Sequence, residues 1–160
     1  MGELSEFQVG RRLFLKTYPW RRIDPVPWAP LRRPLAESKL ALVSSAGFVV
    51  PDQEPFDESR RGGDPSFREI PSDADPSMLI DTHRSQIFDH GGMRHDPNLA
   101  FPLDRARELV ASGRIGSLAR RHLSFMGGIT APGRLIEHTA PAAARALVAG
   151  GVDVALLVPV

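Results

Sequence analysis

The stretch VDVALLVPV at residues 152–160 decides the fold, because it is almost wholly apolar and shows no alternation with polar residues. A strand of this composition is typical of a parallel sheet, where both faces are buried. It follows HTAPAAARALVAGG at 138–151, an alanine-rich segment predicted to be a helix, with Thr139 as its N-cap and Gly150–Gly151 at its end. HLSFMGGI at 122–129 predicts the preceding strand. This order predicts a right-handed βαβ unit.

Strands are also predicted nearer the amino terminus. LALVSSAGFVV at 40–50 is a continuous apolar run and predicts a buried parallel strand followed by a loop from Gly47 onward. MLIDTH at 78–83 predicts another strand, and FREI at 67–70 predicts a short strand in a loop-rich region.

The clearest predicted helix lies within FPLDRARELVASGRIG at 101–116. Pro102 suits a first helical turn, and Gly113 suits the position just past the last turn. The predicted fold class is therefore α/β, with a small, mostly parallel sheet and flanking helices, Rossmann-like but incomplete. Because such a sheet is too small for a full doubly wound domain, we also expect an exposed apolar edge or face near residues 152–160.

Two regions are predicted along the chain. Residues 1–38 alternate basic and proline-rich pieces, which predicts an extended arm anchored by Trp20 and Trp28, with a solvated linker as the alternative. Residues 39–160 form the α/β domain.

Composition excludes several classes of protein. The 160 residues carry a net charge of +1 and contain no cysteine, which excludes disulfides and thiol catalysis within these residues. No apolar run is long enough to span a membrane, and no secretory signal begins the chain. We therefore expect a cytoplasmic protein that binds neither membrane nor nucleic acid.

Residues 82–96, THRSQIFDHGGMRHD, hold three of the five histidines. His83, Asp89, His90 and His95 are residue types that bind metals, but their spacing matches no metal motif, so no metal site is predicted. Two interpretations stay open, a solvated polar loop and a loop that lines a pocket.

Five further residues are candidates for substrate binding or proton transfer. Ser124, Met126 and Gly127 lie at a predicted strand end, where glycine would allow a ligand to approach the backbone, or simply make a tight turn. Asp104 either serves the site or complements the helix dipole, and Arg105 either binds a substrate carboxylate or is a surface charge.

Three motifs carry a resemblance to a known family: GGDPSFREIP at 62–71, FPLDRARELVASGRIGSL at 101–118 and VDVALLVPV at 152–160. In this order and spacing, the chain from residue 39 to 160 resembles the selenoprotein B subunits of the glycine, sarcosine, betaine and D-proline reductases, most of all the D-proline type.

The resemblance implies where the chemistry lies. In the family, the segment that matches VDVALLVPV leads directly into a selenocysteine, or a cysteine in its place. The catalytic nucleophile is therefore expected just after Val160, where a UGA codon for selenocysteine would be read as a stop, and no catalytic residue is expected within these residues. The implied reaction is reductive cleavage of a carbon–nitrogen bond in a small-molecule substrate.

The resemblance also implies roles and partners. His83 and His90, with Asp89, would face the site and donate a proton to the leaving amine or bind a substrate carboxylate. Other reductase subunits, a dithiol donor such as thioredoxin and, for D-proline, a pyruvoyl group on a partner subunit would complete the enzyme. Two alternatives remain: a non-catalytic subunit of the same fold that binds a small molecule, and a metal-binding protein that uses the histidine loop.

Overall fold

The structure, a computed structural model, describes residues 8–19, 22–85 and 90–160, and it divides into the units Met1–Pro30 and Leu31–Val160. In the first unit, α1 (Val9–Thr17) is helical where the sequence predicted an extended arm. The prediction failed there because the prolines begin only at Pro19, so nothing interrupts helical hydrogen bonding before it. Trp28 is 86% exposed and Trp20 lies outside the described residues, so their anchoring role stays a prediction.

The second unit is an α/β domain, which confirms the predicted fold class. Its strands are β1 (Lys39–Ser44), β2 (Phe48–Val49), β3 (Phe67–Pro71), β4 (Ile80–Asp81), β5 (Ser117–Leu118), β6 (Arg121–Phe125) and β7 (Val154–Val158). Its helices are α2 (His90–His95), α3 (Leu103–Ala111) and α4 (Ala140–Ala149). No helix among the described residues is both long enough and apolar enough to cross a membrane.

The main sheet is built around β1. Strand β7 pairs in parallel with β1 along the whole length of β7. Strands β5 and β6, which are also parallel to β1, therefore pair with the other edge of β1. Strand β3 pairs antiparallel with β6 and completes the sheet. The two residues of β2 and the two of β4 form a separate antiparallel ribbon, so the strand predicted at 78–83 is much shorter than expected.

A histidine side chain completes the hydrogen bonding between β1 and the neighbouring strands. The chain bends between β5 and β6, and the main-chain N–H of Leu42 donates to Nδ1 of His122 at 3.0 Å. The His122 imidazole is fully buried and lies edge-on to Phe101, with ring centroids 6.1 Å apart. Among the described residues, its Nε2 has no hydrogen-bond partner.

Helix α3 covers the core side of the sheet. Leu103 and Ala106 of α3 join the main cluster of buried apolar residues, which also contains Leu40, Leu42, Phe48, Ile70 and Phe101. The helix ends where the sequence predicted, since Gly113 follows it with a φ of +69°. Burial of these side chains on the sheet stabilises the domain by about 1.5–3 kcal/mol for each large side chain.

The other side of the sheet is covered less completely. Helix α4 begins within a helical segment that already includes Leu135–Thr139, so Thr139 lies inside the helix and the predicted N-cap is wrong. The predicted end at Gly150–Gly151 is confirmed. An apolar cavity of about 640 Å³ lies between α4 and the carboxyl ends of β1, β6 and β7.

Strand β7 lies where the sequence predicted it, but it is not buried on both faces. Leu156 and Leu157 are 46% and 69% exposed, and among the described residues β7 pairs with β1 alone, so it is an edge strand. The predicted exposed apolar face near residues 152–160 is therefore confirmed.

Candidate functional site

The candidate site lies where the carboxyl ends of β1 and β6 meet. Ala46 and Met126 form an isolated bridge just past the two strands, and the N–H of Gly47 donates to the carbonyl of Phe125 at 2.8 Å. Gly47 has a φ of +68°, a conformation that side-chain-bearing residues rarely adopt, and it turns the chain away from the sheet. The loop after β4 packs into this turn.

Thr82 fastens that loop to the sheet. Its Oγ1 donates to the carbonyl of Gly47 at 2.6 Å, and its main-chain N–H donates to the same oxygen at 3.2 Å. A Cβ on Gly47 would lie 3.0 Å from the Cα of His83, and a Cβ on Gly127 would overlap Nε2 of the His83 ring. His83 is therefore held between two glycines, one at the end of each strand, and only 6% of it is exposed.

His83 is a neutral imidazole. Its Nδ1 accepts the main-chain N–H of Ser85 at 3.0 Å, so the proton of the neutral ring is on Nε2. Burial, the largest cause, and the nearby charge of His90 both lower the pKa of His83. Near pH 7 the ring therefore directs an N–H group toward Gly127.

The protonation state of His90, the first residue of α2, differs from that of His83. Its Nδ1 lies 2.6 Å from Oδ2 of Asp81, and its Nε2 lies 2.5 Å from the carbonyl oxygen of Ser85. Both partners are acceptors, so this arrangement favours the imidazolium, in which both ring nitrogens donate. The hydrogen bond to Asp81, followed by the one to Ser85, raises the pKa of His90.

Asp81 forms hydrogen bonds with both histidines, although it was not among the residues predicted from the sequence. Its Oδ1 accepts the main-chain N–H of His83 at 3.0 Å, and its Oδ2 also accepts Nε of Arg94 at 3.0 Å. The Asp81 side chain is only 3% exposed. The signal was present in the sequence, since an aspartate two residues before a histidine at a strand end is suited to an Asx-type turn.

The two rings therefore offer different chemistry within one small region. Their centroids are 6.3 Å apart in an edge-to-face arrangement. His90 carries a proton and a positive charge, whereas His83 offers a neutral N–H donor. Such a pair can donate a proton at one position and hydrogen-bond a substrate at the other.

The remaining candidates at this strand end have different surroundings. Gly127 lies against the His83 ring, where an added Cβ would overlap Nε2. Met126 is buried against Val49 and Phe56, and its sulfur accepts the main-chain N–H of Arg84 at 3.4 Å. Ser124 is fully buried within β6, and its hydroxyl has no hydrogen-bond partner among the described residues.

The candidates on α3 make their contacts elsewhere. Asp104 accepts hydrogen bonds from the side chains of Asn98 at 3.0 Å and Arg107 at 2.8 Å. Arg105 forms an exposed ion pair with Glu108 at 2.8 Å. Asp89 lies outside the described residues.

Metal ligation by the histidine loop finds no ready geometry in the described part of the chain. Within it, no group of three histidine, cysteine or acidic side chains is arranged to hold a metal ion. In the imidazolium form, neither ring nitrogen of His90 has a lone pair for a metal.

Comparison with known proteins places the chain in a family. The profile of the family described as "Glycine/sarcosine/betaine reductase selenoprotein B (GRDB)" matches residues 8–159. The "D-proline reductase subunit gamma" of Acetoanaerobium sticklandii is 37% identical over 136 residues, covering 84% of this chain and 54% of that protein. The "Sarcosine reductase complex component B subunit beta" of Peptoclostridium acidaminophilum is 32% identical over 120 residues, covering 75% of this chain and 28% of that protein.

The chain thus spans about half or less of the length of these relatives, each of which is named as a subunit of a reductase. No solved structure matches it significantly. The family profile covers nearly the whole sequence, including two of the motifs that carried the resemblance and all but the last residue of the third. The chain therefore belongs to the glycine/sarcosine/betaine reductase selenoprotein B family.

Proposed function

We propose that this chain is part of a glycine/sarcosine/betaine/D-proline-type reductase and that a selenol or thiol following Val160 acts beside His83 and His90. Membership of the family supports a reductase component. The match of VDVALLVPV to the segment that precedes the selenocysteine in the family supports the position of the nucleophile. The substrate would be a small amino acid or an N-methylated derivative.

The observation that carries this proposal is the path from the end of β7 to His83. The main-chain N–H of Val160 donates to Oγ of Ser45 at 2.9 Å. The carbonyl of Ser45 and the His83 ring both lie against the same face of Gly127, where a Cβ would meet them. A residue after Val160 would thus enter the edge of the sheet that holds the two histidines, where open α/β folds gather their catalytic groups.

The charges at this edge suit the proposed chemistry. A selenol or thiol supplies the nucleophile, and a thiol with an ordinary pKa near 8.5 is made more reactive by a nearby cation. His90 provides such a cation. When a carbon–nitrogen bond breaks, its electron pair leaves with the nitrogen, which then needs a proton that the His90 imidazolium can donate. The neutral N–H of His83 can hydrogen-bond a substrate carboxylate.

The proposed reaction also requires an electron donor and other reductase subunits. Reduction needs two electrons, which a dithiol donor such as thioredoxin would supply as it becomes a disulfide. Other reductase subunits would bind the substrate together with this chain, and for a D-proline-type substrate one of them would carry a pyruvoyl group. A reaction that depends on free thiols suits a reducing compartment, so we propose the cytoplasm.

The first test is the nucleotide sequence after the Val160 codon. We expect an in-frame UGA, or a cysteine codon, followed by a nearby cysteine codon and further coding sequence. An ordinary stop codon with no continuing frame would refute the proposed nucleophile and would favour the alternative of a non-catalytic subunit that binds a small molecule.

The second test is an assay of the complete protein with its partner subunits and dithiothreitol. Consumption of D-proline, glycine, sarcosine and betaine would be compared for the wild type, His90→Asn and His138→Asn. Loss of the proton donor should lower kcat by about 100-fold or more. His138 is the matched control, because its side chain is 76% exposed. Equal kcat values for the wild type and His90→Asn would remove His90 from the mechanism.

A further inference from the structure

A second, positively charged cleft lies next to the histidine site. It has a volume of about 480 Å³ and is formed by residues 60–65 on one side and 131–134 on the other. Arg60, Arg61 and Arg134 line it, together with Gly63, Pro65, Ala131 and Gly133. Three of its seven lining residues are thus arginines, and the other four are glycine, proline and alanine.

Main-chain hydrogen bonds hold the two walls of the cleft together. The N–H groups of Thr130 and Ala131 both donate to the carbonyl of Gly62, at 2.9 and 3.1 Å. On the opposite side, the carbonyl of Arg60 accepts a hydrogen bond from Nη1 of Arg84 at 2.9 Å. Because Arg84 directly follows His83, the cleft is tied to the loop that carries the histidine. The cavity is therefore preformed and adjoins the candidate site.

The positive charge of the cleft is not balanced by the described part of the protein. No aspartate or glutamate there forms an ion pair with Arg60, Arg61 or Arg134. Asp64 lies in the same loop, but its carboxylate accepts hydrogen bonds from the main chain of Asp57, at 3.0 Å, and from Ser66, at 2.9 and 2.7 Å. Three like charges around one cavity repel each other until an anion enters.

We propose that this cleft binds a small oxyanion through the guanidinium groups of Arg60, Arg61 and Arg134. Guanidinium presents paired N–H donors that match the two oxygens of a carboxylate or phosphate group. The cavity is large enough for a small molecule and too small for a folded partner. The proposal concerns binding alone, so it does not depend on the proposed reductase activity.

The test is calorimetric titration of the chain with inorganic phosphate and, separately, with acetate, at constant ionic strength. Arg134→Gln should weaken binding of the preferred anion by about tenfold, the loss expected for one charged hydrogen-bond donor. Arg114→Gln is the matched control, because it removes the same charge from an exposed loop after α3 and should leave the affinity unchanged. The tighter-binding anion shows whether the cleft prefers phosphate or carboxylate.

A second variant tests the cavity while keeping every charge. A Cβ on Gly133 would have no neighbour within 4 Å, so Gly133→Leu can fold while filling part of the cleft. It should weaken anion binding about tenfold or more, with an unchanged melting temperature in anion-free buffer. If neither anion binds the wild type, or if Arg114→Gln weakens binding as much as Arg134→Gln does, the proposal is wrong.

Discussion

Acidification should destabilise this protein through His122. Its imidazole is fully buried, accepts the main-chain N–H of Leu42 through Nδ1 and contacts the ring of Phe101. The pKa of His122 is lowered to about 4, mainly by burial and secondly by the positive charge of Arg107. A protonated Nδ1 could no longer accept the hydrogen bond from Leu42, so the fold selects the neutral ring.

The direction and size of the effect follow from the two pKa values. In the unfolded chain the histidine has a pKa near 6.5 and takes up a proton first as the pH falls. The free energy of unfolding should therefore be independent of His122 above about pH 6.5 and should fall by about 1.4 kcal/mol per pH unit below it. The loss reaches roughly 2 kcal/mol at pH 5 and about 3 kcal/mol at pH 4, a large part of an ordinary domain's stability.

The assay is urea unfolding followed by far-UV circular dichroism, at several pH values between 4.5 and 8. His122→Asn keeps an acceptor for Leu42 but cannot titrate in this range, so the difference between wild type and variant isolates His122. Contributions of His83 and His90 are common to both proteins and cancel. His138→Asn, which changes an exposed imidazole, should retain the slope of the wild type.

The outcome that would refute this reasoning is a His122→Asn protein with the same loss of stability on acidification as the wild type. His122→Phe provides an independent check, because it removes the acceptor and leaves the Leu42 N–H buried without a partner. That variant should be less stable by about 1–3 kcal/mol at pH 7.

Three further predictions concern the candidate site and the exposed strand. Gly127→Ala should displace the His83 ring, because the added methyl group would overlap Nε2. The pKa of His83 measured by NMR should then rise toward 6.5, and the free energy of unfolding should fall by about 1–3 kcal/mol. Asp81→Asn should lower the pKa of His90 in the same NMR titration, since the carboxylate is the main cause of its raised value, and an unchanged pKa would contradict the imidazolium assignment. Leu157→Lys should reduce binding of the dye ANS, because that leucine is 69% exposed. The free energy of unfolding should change by less than about 0.5 kcal/mol. Undiminished dye binding would mean that the apolar surface that binds ANS does not include Leu157.

Part of the site could be predicted from the sequence. The histidine loop follows a strand end, and His83 and His90 are brought together there with Gly127. Asp81 was missed because its Asx-type turn pattern predicts only a local hydrogen bond to the main chain of His83. Its importance comes from three partners that contact it from two segments, a fact of packing that the spacing of residues does not contain.

The candidates on α3 were singled out from the sequence, but their contacts in the structure are local. Asp104 and Arg105 are charged residues at the start of a helix, a position that suits either function or helix stability. Their side-chain partners are Asn98, Arg107 and Glu108, all nearby in the sequence. Local hydrogen bonding therefore accounts for the contacts that the structure gives them.

By itself, the sequence determined the class of fold, the position of α3 and β7 and the membership of a family. These features follow from local properties, namely runs of apolar residues, turn-forming glycines and motifs in a particular order. Only the tertiary structure decided that His83 is neutral and His90 charged, because protonation depends on burial and on hydrogen bonds from distant segments. It also decided which side chains of β7 are exposed, namely Leu156 and Leu157, since burial of an apolar strand depends on which other elements pack against it.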